Sequence, residues 1–224
     1  MDLDGAVAVV TGAAGGLGRF LASGLAASGA RVLAADIDPS PSEINGMEAV
    51  RCDVTVPSDR ERLIALATAA GGPHILVNNA GGWTPGAQYP AAAAGDWMRT
   101  LELNLTAPMH LTQLALEPMA AFGGGAILNI ASSAGLGDGP YGSPEYGAAK
   151  AGLIRFTASL GDLPLTRVMA IVPGWIGLER AHAEVAAMPA ASRPALVPPE
   201  EIVEVALKLL RGGQGGTIVE MPGG

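Results

Sequence analysis

Along the chain, short apolar runs alternate with longer stretches in which apolar residues recur every three or four positions. The runs Ala6–Thr11, Arg31–Asp36, Ala49–Arg51, Ile75–Asn78, Ala126–Ala131, Val168–Val172 and Thr217–Met221 predict seven strands. Most of them lack in–out alternation, as expected for a parallel sheet covered on both faces. The longer stretches predict helices near Leu17–Ser28, Ser58–Ala69, Asp96–Ala121, Tyr146–Leu160 and Pro199–Leu210. Strand and helix taking turns in this way give a doubly wound α/β fold. No linker divides the 224 residues, so 1–224 reads as a single domain. The Pro- and Ala-rich stretch Met188–Pro199 is expected to be a surface loop bordering a site.

Composition narrows the picture. Hydrophobic residues make up 49% of the chain but aromatics only 4%, so helices and sheet are expected to pack through small side chains. The net charge of -8 speaks against a nucleic-acid partner, whose phosphates need a basic face. Cys52 is the only cysteine, which rules out an internal disulfide and fits a cytoplasmic setting. The acidic start Met1-Asp2-Leu3-Asp4-Gly5 is unlike a signal peptide. No segment approaches the roughly 18 unbroken apolar residues of a membrane span. His74, His110 and His182 are scattered without ligand spacing, so no metal site is expected.

The first chemical signal follows the first strand: Thr11-Gly12-Ala13-Ala14-Gly15-Gly16-Leu17-Gly18, leading into a helix. In that context Gly12 permits the tight turn, Gly16 lets backbone approach a pyrophosphate, and Gly18 lets the helix pack closely. The helix N-terminus then presents free N–H groups and positive dipole to phosphate. The second strand ends in Asp36, eighteen residues after Gly18, where an acid accepts the hydroxyls of an adenosine ribose. Together these point to a Rossmann-type sheet that binds a dinucleotide.

The form Thr-Gly-x-x-x-Gly-x-Gly resembles the classical short-chain dehydrogenase/reductase family. So do Cys52-Asp53-Val54 after the third strand and Asn78-Asn79-Ala80-Gly81 after the fourth. The resemblance implies a seven-stranded parallel sheet flanked by helices. It places Asp53 and Val54 at the adenine, Leu17 at the phosphates, and Asn79, Ala80 and Gly81 along the cofactor cleft. Pro173-Gly174 after the sixth strand, with the backbone of Ile176, is where the family lays the nicotinamide.

Tyr146-Gly147-Ala148-Ala149-Lys150 puts a phenol and an ammonium on one helical face. A phenol has a pKa near 10 and is a poor base; a nearby cation favours the phenolate, making the pair a general acid/base. A donor to the substrate oxygen is expected from Ser132, with Ser133 as the alternative. Ser132 fits the family's Asn-x-x-Ser-x-x-Gly through Asn129 and Gly135, while Ser133 restores the usual thirteen-residue spacing to the tyrosine. Asn104, seven residues after Trp97, matches the family's helix-kinking asparagine, which holds a water that relays protons to the lysine.

The resemblance therefore implies an NAD(H)-dependent oxidoreductase that interconverts an alcohol and a carbonyl, as a homotetramer or homodimer. The loop Trp175–Pro198, short of distinctive charge, points to a small or medium, largely uncharged substrate. NAD rather than NADP follows from Asp36 facing the extra phosphate, with Gly15 and Ile37 where NADP-preferring members carry cations. Arg19 and Arg31 are not expected to reach. Trp83, Tyr141 and Trp175 are expected at the substrate cleft, and Glu179, Arg180, His182, Glu184 and Arg193 on a solvated face. Departures are Leu178, where the family commonly has Thr, Met169 in place of Asn, and a shortened stretch between Lys150 and Arg167 with Pro164 cutting the helix. A non-catalytic scaffold, or an epimerase or dehydratase on the same fold, stays open at this point.

Overall fold

A computed structural model of the chain describes residues 1–38, 47–137, 139 and 141–223. The first unit runs β1 (Val7–Thr11), α1 (Gly16–Ala27), β2 (Arg31–Asp36) and β3 (Met47–Arg51). After α2 (Pro57–Ala69) and β4 (Ile75–Asn78) come α3 (Ala94–Leu101), a π-helical turn (Glu102–Thr106) and α4 (Ala107–Ala121). Then follow β5 (Gly125–Ile130), α5 (Pro144–Ser159), β6 (Thr166–Pro173), β7 (Trp175–Ile176) and α6 (Glu179–Ala187). The chain closes with β8 (Leu196–Val197), α7 (Pro199–Gly212) and β9 (Ile218–Met221).

Seven strands form one sheet in the order β3-β2-β1-β4-β5-β6-β9, every neighbouring pair parallel. The expected Rossmann-type sheet is thus present. Strand order reverses between β1 and β4, and the crevice outside the carboxyl ends of those strands is where such sheets take ligands. Alternate residues of β1 serve opposite faces. Ala8 and Val10 pack with Leu17, Leu21 and Leu25 of α1 and Ile202 and Leu210 of α7. Val7 and Val9 pack with Leu63 of α2 and Leu111 and Met119 of α4. The apolar spacing of α1, four residues apart, is what turns one helix face to the sheet. Arg167 ties the end of α7 down, donating to the carbonyls of Leu209 (3.1 Å), Leu210 (2.7 Å) and Gly213 (2.6 Å). The Leu209 carbonyl also accepts the Gly213 N–H, at 2.7 Å.

The long helix expected over Asp96–Ala121 is interrupted at Asn104, where the resemblance implied a kink: a π turn forms because Asn104 Nδ2 donates to the Thr100 carbonyl at 3.0 Å and Pro108 has no N–H to return to the Asn104 carbonyl. Two features depart from the sequence expectation. The short connection from α5 to β6 forces Leu165 to a left-handed φ of 62°. The stretch Met188–Pro199 is not a plain loop: it holds a 3-10 turn, Ala190–Ser192, and β8, which pairs in parallel with β7. No helix among the described residues is long and apolar enough to cross a membrane.

Candidate active site

A cleft of about 1680 Å³ opens at the carboxyl ends of β1, β4 and β5. Gly12 turns the chain there with φ 66°, and a Cβ on it would stand 2.9 Å from the Ala80 Cα. Gly18 lies behind the cleft wall, where a Cβ would come within 2.0 Å of the Gly12 carbonyl oxygen, so α1 sits directly on the turn. Gly15 caps α1 with no side-chain hydrogen bond, leaving the first-turn amides beside Gly16 and Leu17 open toward the cleft. Thr11 and Asn79 lock turn and sheet together. Asn79 Nδ2 donates to the carbonyls of Thr11 (2.9 Å) and Gly12 (3.2 Å), while Thr11 Oγ1 accepts the N–H groups of Asn79 and Ala80.

Asp36 lines the same cleft and accepts the Ala14 N–H through Oδ2 at 3.0 Å, tying the glycine loop to the end of β2. Asn79, Ala80 and Gly81 line it as well. Asp53 and Val54 are not brought to its wall. Asp53 Oδ1 accepts the Thr55 N–H and hydroxyl at 2.9 and 2.7 Å, and Val54 packs into the core. Arg19, expected to stay away, does line the cleft, because it follows Gly18 on the first turn of α1. Arg31 stays at the far end of β2, paired with Glu48 at 3.3 Å.

The chemistry-bearing side chains converge from two elements. β5 ends at Ile130 and delivers Ser132, whose Oγ accepts the Ala134 N–H at 3.2 Å and caps the 3-10 turn Ser133–Gly135. Ser132 is half-buried beside the phenol of Tyr146, whereas Ser133 is exposed, although both line the cleft. α5 opens with Pro144 in its first turn and presents Tyr146 and Lys150 one turn apart. Lys150 is 4% exposed, and its Nζ donates to the Ile130 carbonyl at 2.9 Å and lies 5.7 Å from the Tyr146 ring centroid. Asn104 stands behind this group, fully buried. It holds Gly82 through both amide atoms, accepting from its N–H at 2.9 Å and donating to its carbonyl at 3.1 Å.

Burial pushes the Lys150 ammonium down to about 8. It pushes the Tyr146 phenol up; the Ser132 hydroxyl counters that, Tyr141 adds to it, and the Arg180 guanidinium counters it again. The cation that lowers the phenol is Arg180 rather than Lys150, and desolvation of the buried ring outweighs it.

The opposite wall is built from Pro173, Gly174, Ile176 and Leu178, and from the first turns of α6. Leu178 reaches across to the glycine loop, its Cδ1 being 3.6 Å from where a Cβ on Gly16 would stand. Trp83, Tyr141 and Trp175 border the cleft as expected. Residues 188–199 do not; Glu179, Arg180 and Glu184 of α6 take that place. Two buried polar groups escaped the sequence reading. Ser143 is 2% exposed, lines the cleft and has an unpaired hydroxyl. Glu145 is 8% exposed and accepts the Tyr89 N–H at 3.3 Å. Their only sequence signal was proximity to Tyr146. Asn129, seen only as part of a motif, proves to link the sheet to α5: it accepts from Asn78 and donates to Thr157, each at 2.9 Å.

Comparison with known proteins gives the following. The family model described as short chain dehydrogenase matches residues 6–188. A 3-oxoacyl-(acyl-carrier-protein) reductase of Vibrio cholerae is 35% identical over 187 residues, covering 79% of this chain and 75% of that one. A cis-4-hydroxycyclohexanecarboxylate dehydrogenase of Sinomonas cyclohexanicum is 36% identical over 215 residues, covering 88% and 86%. Among solved structures, the aldohexose dehydrogenase of Thermoplasma acidophilum superposes with a TM-score of 0.84 at 26% identity, covering 98% of this chain and 93% of that one.

Proposed function

Because the chain belongs to the short-chain dehydrogenase family, whose members are oxidoreductases working with a nicotinamide cofactor, we propose that it interconverts a small alcohol and its carbonyl with NAD(H). The observation that carries this reading is the convergence of Ser132, Tyr146 and Lys150 on one wall of the cleft that the glycine loop opens. The cradle fits a dinucleotide: the turn at Gly12 has no room for a side chain, and the α1 amides are uncapped. Gly12, Gly16 and Leu17 would form the pyrophosphate seat, with Gly18 behind them letting α1 close onto the turn, Asn79, Ala80 and Gly81 the cleft floor, and Pro173, Gly174 and Ile176 the nicotinamide wall. When bound, the cofactor supplies or accepts the hydride.

The protein supplies the proton and the placement. Tyr146 exchanges a proton with the substrate oxygen. Ser132 donates to that oxygen while negative charge develops on it. Lys150, anchored on the Ile130 carbonyl, holds positive charge beneath the phenol and stands ready for a ribose hydroxyl. Asn104 fixes Gly82, and with it the chain segment passing Lys150. The relatives named above act on a 3-oxoacyl group and on a hydroxycyclohexanecarboxylate, a ketone and an alcohol, which supports this reaction class. Residues 1–224 would act as one cofactor-binding and catalytic unit, assembled as a homodimer or homotetramer.

Asp36 favours NAD over NADP, since its carboxylate would face the added phosphate across a partly dry cleft. Arg19 lines the cleft, but the position after Asp36 is Ile37, which is exposed and neutral. The test is steady-state oxidation of a panel of secondary alcohols with each cofactor. Tyr146→Phe should lower the rate by about 10²–10⁴-fold while cofactor affinity holds. Asp36→Ser with Ile37→Arg should erase or reverse the NAD preference. Retention of a tenth of the rate by Tyr146→Phe would remove the phenol from the mechanism, and equal use of both cofactors by the unmodified chain would remove Asp36 from the ribose.

A further inference from the structure

Arg19, Lys150 and Arg180 are the cations among the described residues that line the cleft. Lys150 is accounted for by its surroundings, being buried and bonded to the Ile130 carbonyl. Arg19 follows Gly18 in α1, on the wall of the glycine loop. Arg180 stands on the opposite wall, at the start of α6, where sequence reasoning had placed a solvated face.

Its guanidinium is under-used. Among the described residues its one charged contact is with Glu184, a single Nε···Oε1 approach of 3.4 Å at i,i+4, with the two side chains 70% and 43% exposed. Such exposed helix pairs contribute about 0.3–0.5 kcal/mol. Among the described residues the guanidinium donates no protein hydrogen bond, so the planar fork that fits a carboxylate in two-point contact is free. It is also near the chemistry: its charge acts on the Tyr146 phenol. Between them the cleft offers the broad apolar faces of Trp83, Tyr141 and Trp175.

Resting on the proposed alcohol–carbonyl chemistry, we infer that the substrate of this cleft is a small hydroxy acid or oxo acid whose carboxylate is held by Arg180. The reacting oxygen meets Tyr146 and Ser132, the compact apolar body lies along the tryptophans, and the carboxylate takes the fork of Arg180. Glu179 and Glu184 share that wall and make it net negative by one. They set the condition for binding: an entering carboxylate must displace Glu184. A single long contact gives way to a two-point, charge-assisted pair because the latter is shorter and about twice as strong as an ordinary hydrogen bond.

This arrangement makes two substitutions act in opposite directions. Arg180→Ala removes the receptor. Glu184→Gln removes the competitor and leaves the receptor. The experiment titrates benzoate, and in parallel its neutral isostere benzamide, into the protein saturated with reduced cofactor, following tryptophan fluorescence. The unmodified protein is expected to bind benzoate at least about tenfold tighter than benzamide, the size of one charge-assisted pair. Arg180→Ala should bring that ratio to about one, and Glu184→Gln should raise it. The same ratio is then read in turnover, comparing 3-hydroxybutyrate with its methyl ester. The comparison cancels the effect of Arg180 on the phenol, which both substrates feel alike. Equal affinity for the two probes, no benzoate binding at all, or a ratio unmoved in Arg180→Ala overturns the assignment. Failure of the protein to bind reduced cofactor overturns instead the parent reading, and the nicotinamide fluorescence reports that separately.

Discussion

Lys150 carries an ammonium to a place where 4% of the residue is exposed and one carbonyl, that of Ile130, receives it at 2.9 Å. Burial lowers its pKa from 10.5 to about 8. Below pH 8 the folded chain therefore holds a buried charge that the unfolded chain would hold in water. Between pH 8 and 10.5 the folded chain has released the proton and the unfolded chain has not, so this group makes stability rise with pH across that window. The difference is on the order of 3 kcal/mol. Lys150→Met should consequently melt higher than the unmodified protein at pH 7, and its advantage should shrink steadily as pH climbs from 8 toward 10.5. Loss of the bond to Ile130 subtracts a constant from the gain, so the slope is the telling quantity. A melting-temperature difference that stays flat between pH 7 and 10 would mean the lysine is well solvated. Retention of this residue at such a stability cost is what a chemical role, rather than a structural one, accounts for.

At the scale of elements, what was legible in the sequence and what was not divide along length and periodicity. The inner strands of the main sheet show because they bury runs of β-rich side chains, as Ile75–Asn78 and Thr166–Pro173 do. β7 and β8 have two residues each, too few for any pattern, and so the platform under α6 was missed. The π turn leaves no mark in the apolar spacing, which runs through it unbroken; the helix-kinking Asn104 was its signal, and the bond from Asn104 to the Thr100 carbonyl shows how the helix slips. In the candidate site the motif residues were legible, because glycine turns and the Tyr–Lys spacing are local. Arg180 was not, since its place at the cleft depends on how α6 folds back. Leu165 also belongs here. The sequence showed that the α5–β6 connection is short but not that it would drive a leucine to φ 62°. A non-glycine residue there costs roughly 1–2 kcal/mol. Because the side chain is 64% exposed, little packing is lost on removing it. Leu165→Gly should raise the urea midpoint by the equivalent of about 0.5–1 kcal/mol without changing the slope, part of the relief being offset by glycine's greater freedom when unfolded. A midpoint lower than that of the unmodified protein would show that the connection is not strained.

The seven-stranded sheet carries helices on both faces, and α4 and α5 lie on the face formed with α2. Against them the surface is not finished. Met109, His110, Leu116 and Phe156 line a groove of about 440 Å³. Met109 is 39% exposed, and His110 Nδ1 is buried with no hydrogen-bond partner among the described residues. Apolar surface of this kind on two long parallel-sided helices is what a second copy covers in a closed, two-fold assembly. The charge of -8 keeps separate molecules soluble but is spread over the chain, so it does not forbid such a contact. The expected mass by light scattering is therefore two or four times 22.4 kDa. Met109→Arg puts a charge on an already exposed position, which the fold tolerates and an apolar interface does not. That variant should fall to the mass of one chain while keeping the circular dichroism of the parent. If the unmodified protein itself elutes at 22.4 kDa, the groove serves some purpose other than self-association. If Met109→Arg leaves a dimer or tetramer intact, the copies meet elsewhere on the surface.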